Sequence, residues 1–124
     1  MGFPMAKNLL KSGYKLKVFN RSQNKAERLK EFGAEISTSI KDAVTNSDII
    51  ITMLTDDFAV EKVTGSDEFI KNIKSNATVI DMSSINPALS KKCAKALKEK
   101  NINYLDAPVS GGTLGAEDAS LAIM

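Results

Sequence analysis

Apolar positions along the chain switch between two rhythms, a three-or-four-residue spacing that predicts helices and short unbroken runs that predict strands. Met5, Leu9 and Leu10 set a first helical stretch over residues 5–11, and Ser12-Gly13 closes it. Residues 15–19 read as a strand. Ser22 then stands where an N-cap belongs, ahead of Ala26, Leu29 and Phe32, and Gly33 ends that helix. Glu35–Ile36 is a short strand, Ile40–Val44 a short helix, and residues 48–54 a longer strand. The run Ile49-Ile50-Ile51 within it predicts burial on both faces, as at the centre of a parallel sheet. Helical pieces follow at 59–63 and 68–73, then a strand at Thr78–Asp81. An amphipathic helix over 87–100 opens with Pro87, in the first turn where a missing N–H costs nothing. A strand at Asn103–Asp106, a glycine-rich loop over 109–115 and a last strand at 121–124 complete the chain. Strand and helix in repeated alternation predict an α/β domain on a parallel sheet.

At 124 residues the chain is one domain's worth. Its 43% hydrophobic and 26% charged content is that of a chain able to bury a core. A net charge of +2 is too small and dispersed for a nucleic-acid footprint, and Lys91, Lys92, Lys95, Lys98 and Lys100 read as a solvated helix face. No apolar run approaches the ~20 residues of a membrane span, and no secretory leader is visible, so the expected partners include neither nucleic acid nor membrane. The lone Cys93 excludes an internal disulfide and falls with Leu89, Ala96 and Leu97 on one apolar helix face. With cysteine so sparse, the expected compartment is the reducing cytoplasm. The absence of histidine excludes a Ser-His-Asp triad, an imidazole base and a histidine-ligated metal, and no metal site is expected.

Chemistry gathers in five strings. Met1-Gly2-Phe3-Pro4-Met5-Ala6-Lys7-Asn8-Leu9-Leu10 opens the chain. About twenty residues past Gly2, where a dinucleotide's adenosine ribose is read, stand Asn20-Arg21-Ser22. An acid at that place would bond the ribose hydroxyls of NAD. The guanidinium of Arg21 can instead fork onto a 2′-phosphate, with Ser22 as a second donor, which favours NADP. Met53-Leu54-Thr55-Asp56-Asp57 ends the isoleucine strand at the carboxyl edge where such sheets bind ligands, and the two acids read as helix-start residues. Asp81-Met82-Ser83-Ser84-Ile85-Asn86-Pro87 brings hydroxyls to the end of the next strand, with helix capping as their competing role. In Leu105-Asp106-Ala107-Pro108-Val109-Ser110-Gly111-Gly112-Thr113-Leu114-Gly115-Ala116, a Ser-Gly-Gly turn can aim successive N–H groups and a hydroxyl into one concavity suited to a carboxylate.

Taken together these strings resemble the dinucleotide-binding domain of the β-hydroxyacid dehydrogenases, the family of 3-hydroxyisobutyrate and tartronate semialdehyde reductases. The opening string resembles the second half of the family's G-x-G-x-M-G-x-P-M-A-x-N-L turn, with Gly2 at the third glycine. The last is similar to the D-A-P-V-S-G-G-x-x-G-A signature almost residue for residue. Thr55 replaces the proline the family often carries, and Ala119 stands where it usually has glycine, at a turn that asks for positive φ.

The resemblance implies a Rossmann-type doubly wound parallel sheet lacking its first strand. It implies a partial dinucleotide-binding domain over residues 1–124, of the 6-phosphogluconate dehydrogenase NADP-binding type, cut short at both ends and without the helical C-terminal domain. The implied cofactor is NADP by preference, or NAD, contacted by Gly2, Asn20, Arg21, Ser22, Met53, Leu54, Ser83 and Ser84. The implied substrate is a small 3-hydroxy acid or its semialdehyde, held by Ser110, Gly111 and Gly112 while hydride passes to or from the nicotinamide. The family's proton-handling lysine lies past the chain end, so no catalytic residue is assigned and the chain alone is not expected to complete the reaction. The full-length protein is expected to be a homo-oligomer. Two alternatives stand beside this reading: a non-catalytic nucleotide-binding module, and part of a 6-phosphogluconate dehydrogenase. The implied arrangement brings Arg21, Ser84 and the Ser110 turn to one sheet edge around a shared cleft.

Overall fold

The opening helix begins earlier than its apolar rhythm implies. In the computed structural model, which describes residues 1–124, α1 spans Gly2–Lys11 and takes Pro4 into its first turn. The strand expected at 15–19 contracts to β1 (Lys17–Val18), paired in parallel with β2 (Glu35–Ile36). Between them the single expected helix becomes α2 (Gln23–Glu27) and a 3-10 turn at Lys30–Phe32. Residues i and i+3 eclipse in a 3-10 turn, which keeps Leu29 and Phe32 on one side. Gly33 stops it in the left-handed region, φ 95°. Then come α3 (Ile40–Val44), β3 (Ile49–Thr52), α4 (Asp57–Thr64), α5 (Asp67–Asn72), β4 (Thr78–Asp81), α6 (Pro87–Lys98) and β5 (Asn103–Asp106).

The chain divides into two units, Met1–Ala43 with Ser110–Ala122, and Val44–Val109 with Ile123–Met124. In the first, α1 packs on α7 (Gly112–Glu117), where the Asn8 side-chain amide donates to the Ala116 carbonyl at 2.7 Å. It also meets the 3-10 turn: Phe3 and Phe32 lie edge to face at 6.4 Å, with Lys7 over the Phe32 ring and Arg28 over the Phe3 ring. Such cation–ring contacts suit an exposed helix, and no residue of α1 is fully buried.

The second unit is a parallel sheet in the order β3-β4-β5, with Ile51, Ile80 and Leu105 in one cross-strand row and Thr52, Asp81 and Asp106 in the next. Because the strands add in sequence order, right-handed crossovers place α4, α5 and α6 on the same face. Under them lies a core of Val60, Phe69, Val79 and Leu97. The opposite face is bare. Ile49, Ile51 and Leu105 are 61%, 39% and 53% exposed, which corrects the expectation that the isoleucine strand is buried on both faces. Only Ile50 and Thr52 of β3 point into the core.

A second correction concerns residues 109–115. They are not a loop throughout: β6 (Val109–Ser110) pairs with β7 (Ala122–Ile123), and α7 starts at Gly112. Gly111 and Gly112 make the abrupt change possible, at φ 138° and 62°. No strand bridges β1 and β3, so the parallel strands form two separate ladders.

Candidate functional site

The carboxyl ends of β3 and β4 carry three of the five buried polar side chains of the second unit, Thr52, Asp81 and Ser83. Asp81 closes β4 fully buried, and its Oδ1 accepts from the Thr52 hydroxyl at 2.9 Å and the Ser83 amide at 3.0 Å. Its Oδ2 accepts from the Tyr104 hydroxyl of β5 at 3.2 Å. Ser83 is buried as well, and its hydroxyl accepts from the Leu54 amide at 2.9 Å. Of the two serines singled out in the sequence, Ser83 therefore works inward, while Ser84 is exposed. Neither caps α6. That role belongs to Asn86, whose side chain accepts from the Ala88 amide at 2.8 Å.

Ser84 stands on a cleft of about 550 Å³ bordered also by Asp57, Ser83, Ile85, Asn86, Pro87, Asp106, Pro108 and Met124. Asp57 ties two of its walls together by accepting from the Asn86 amide at 3.0 Å. Asp56 caps α4 through the Ala59 amide at 2.8 Å, so both acids sit at a helix start as the sequence indicated. The cleft is lined by hydroxyls, apolar side chains and two carboxylates, with no lysine or arginine. Such a lining suits an uncharged or cationic ring and a sugar better than a phosphate. Met53 and Leu54 are half-buried in the turn after β3.

In the first unit Asn20, Arg21 and Ser22 follow β1, all exposed. The Asn20 amide donates to the Ser22 carbonyl at 2.9 Å and pins the turn. Ser22 occupies the N-cap position of α2, yet its hydroxyl makes no capping bond. Ser110 ends β6, Gly111 is the residue before α7, and Gly112 is its first residue. A Cβ on Gly111 would come within 3.1 Å of Leu121. Gly2 opens α1.

Three residues carry more than the sequence indicated: Asp57, Asp81 and Asp106. An acid at the end of the apolar run Thr78–Asp81 was the visible signal for Asp81, and Asp106 already belonged to the glycine-rich string. Burial pushes the Tyr104 hydroxyl well above the ordinary phenol range; the bond from Ser90 opposes the shift, and the nearby Asp81 adds to it. Burial likewise raises the Cys93 thiol, as does Asp81. Cys93 is accordingly a core residue, as its helix position implied. On the surface Lys92 bonds Glu61, raising the amine and lowering the carboxyl. No three Cys, Asp or Glu side chains gather as a metal-binding group, and no helix is long and apolar enough to cross a membrane.

A family model described as the NAD binding domain of 6-phosphogluconate dehydrogenase matches residues 1–124. An uncharacterized oxidoreductase of Bacillus subtilis is 44% identical over the whole chain, which covers 43% of that protein. An NAD-dependent L-serine dehydrogenase of Pseudomonas aeruginosa is 40% identical, again over the whole chain and 42% of the relative. Among solved structures, a 3-hydroxyisobutyrate dehydrogenase of Mycobacterium tuberculosis with L-serine superposes with a TM-score of 0.94 at 30% identity, covering 100% of this chain and 42% of that one. The chain thus spans about two fifths of the length of these relatives. It belongs to the family of the NAD binding domain of 6-phosphogluconate dehydrogenase, whose relatives here are oxidoreductases of the 3-hydroxyisobutyrate dehydrogenase kind.

Proposed function

We propose that the chain is the cofactor-holding part of a cytoplasmic 3-hydroxyacid dehydrogenase, with NADP preferred over NAD. The observation that carries this reading is the cleft at the carboxyl ends of β3 and β4, hydroxyl-lined and free of basic side chains, on which Ser84 stands exposed. Ligands of parallel α/β sheets lie at those strand ends. Ser84 and the Met53-Leu54 turn hold the nicotinamide end, and the carboxylates of Asp57 and Asp106 favour a ring that carries positive charge when oxidised. The free hydroxyl of Ser22 and the exposed Arg21 offer donors to a 2′-phosphate. Ser110, Gly111 and Gly112 receive the carboxylate of a small 3-hydroxy acid or its semialdehyde, and Gly2 lets α1 start close to the cofactor. When bound, the nicotinamide supplies the hydride donor or acceptor. No group of this chain is assigned the proton transfer at the substrate hydroxyl, and the chain alone does not complete the reaction. The full protein is a homo-oligomer in this reading, with small molecules as its ligands rather than nucleic acid or membrane.

Titration of the chain with NADPH and NADH tests the cofactor preference. Arg21→Asp is expected to weaken NADPH binding roughly ten- to a hundredfold, the loss of a charge-assisted phosphate contact, and to leave NADH binding nearly unchanged. An unaltered ratio of the two affinities removes Arg21 from the site. The specific observation favouring the second reading, NAD, is the relative described as an NAD-dependent L-serine dehydrogenase. Tighter binding of NADH by the unmodified chain would decide for it.

A further inference from the structure

Asp81 is the only acidic side chain among the buried residues, and it is not itself one of the residues that border the cleft. A carboxyl placed among apolar side chains is costly unless its oxygens are bonded, and here both are, by three neutral donors from different segments. The sheet does not need these bonds. Main-chain pairing already joins β3 to β4 through Thr52 and Asp81, and one step further through the Met82 amide and the Thr52 carbonyl at 2.9 Å. Past that point the chain hangs on side chains alone: the Ser83 amide on Asp81, and the Leu54 amide on the Ser83 hydroxyl. The bonds begin at the last rung of the ladder and run into the Ser83 turn, which borders the cleft, and the Leu54 turn, which leads to Asp57 on its wall.

We propose that Asp81 is a positioning residue for this cleft, holding the Ser83 turn directly and the Leu54 turn through the Ser83 hydroxyl. Its functional consequence rests on the dinucleotide reading given above. Tyr104 completes the device from β5, because its hydroxyl occupies Oδ2 and leaves Oδ1 turned toward Thr52 and Ser83. An asparagine fits the same place: its carbonyl oxygen serves Thr52 and the Ser83 amide, and its NH₂ donates to the Tyr104 oxygen. A leucine of similar size removes every acceptor.

Amide hydrogen exchange in the ligand-free chain, paired with NADPH titration, tests the proposal. In Asp81→Leu the amides of Leu54 and Ser83 are expected to exchange roughly tenfold faster, with the ladder amides of Ile50 and Ile80 protected as before. NADPH affinity is expected to fall by a similar factor. Asp81→Asn restores both readouts to within about threefold. Should the leucine variant fail to fold, Ser83→Ala takes its place: it removes only the hydroxyl that accepts from the Leu54 amide and keeps the main-chain amide on Asp81, so the Leu54 amide alone is expected to exchange faster. Unchanged exchange at Leu54 and Ser83, or an equal loss across the ladder, overturns the positioning role. Released amides with unaltered NADPH affinity overturn it too. If the unmodified chain binds neither NADPH nor NADH, the dinucleotide reading fails, and the exchange pattern alone then judges whether Asp81 sets the two turns.

Discussion

The second unit buries Val60, Phe69, Val79 and Leu97 at 1% exposure or less beneath a register-matched three-stranded sheet. The first has two strands of two residues each, and its buried apolar side chains are Ala26, Leu29, Ala34 and Ala116. Large buried side chains let a unit carry a polar cluster such as Asp81, Thr52 and Ser83 and still be stable, because apolar area removed from water offsets the burial cost. A small core has no such margin. The residues proposed above for recognition, Arg21, Ser22 and the Ser110 turn, lie in solvent.

The largest expected effect tests that contrast head on. Phe69→Ala should destabilise the second unit by about 3–5 kcal/mol, and Leu29→Ala the first by an amount near the lower end of the ~2–5 kcal/mol range for such truncations. Urea unfolding followed through amide resonances of each unit checks both values. If each substitution shifts the two sets of resonances to one common midpoint, the units unfold as a single body and the contrast in stability is void.

Legibility from sequence followed the same division. In the second unit the apolar rhythm located β4 and β5 to the residue, and α6 within its last turn. What rhythm did not give was which face is covered: Ile49 and Ile51 look identical to Ile50 in the letters, and only crossover handedness decides that the helices sit on the side of Ile50. In the first unit the elements are so short that one residue of turn geometry outweighs propensity. Leu29 and Phe32 fit a continuing helix, yet the chain tightens into a 3-10 turn. Around Gly111 and Gly112 the sequence conveyed the need for special dihedral angles and concealed the helix that follows. The serines were legible as a polar strand end. Their separate duties were not, because Ser83 and Ser84 differ only in which way the turn points them.

Alkaline titration sharpens the comparison at intermediate size. Cys93 and Tyr104 both lie in the second unit with raised pKa values, against ordinary values of 9.0 and 10.0. Below those values the folded and unfolded chains hold the same protons. Above them the unfolded chain ionises first and binds fewer protons, so stability declines as pH rises toward the folded-state values. The decline is at most about 1.4 kcal/mol per pH unit for each group, and less with partial exposure. Tyr104→Phe should cost about 0.5–1.5 kcal/mol at neutral pH through the lost bond to Asp81 and flatten the alkaline fall. Urea midpoints of the second unit from pH 8 to 11 check the slope, and an equally steep fall in the phenylalanine variant assigns it elsewhere.

The smallest effect lies in the first unit and has the opposite sign. Left-handed positions in the second unit are held by Asn46, Asn76 and Asn101, at φ 61°, 67° and 58°, and asparagine tolerates that region. In the first they fall to Gly13, Gly33, Gly111 and Gly112, and to Ala119 at φ 55°. Alanine there is the odd residue, as its place in the glycine-favouring turn before β7 implied. Its strain of about 1–2 kcal/mol exceeds the ~0.4–1 kcal/mol that glycine adds to unfolded-chain entropy. Ala119→Gly is therefore expected to stabilise the first unit by about 0.5–1 kcal/mol, where Asn76→Gly brings no gain to the second. Because the site is exposed and close to the Ser110 turn in sequence, the gain should appear in the resonances of α1 and α7 and be absent from β3, β4 and β5. A gain of equal size in both sets would mean that strain at one surface turn is borne by the entire chain.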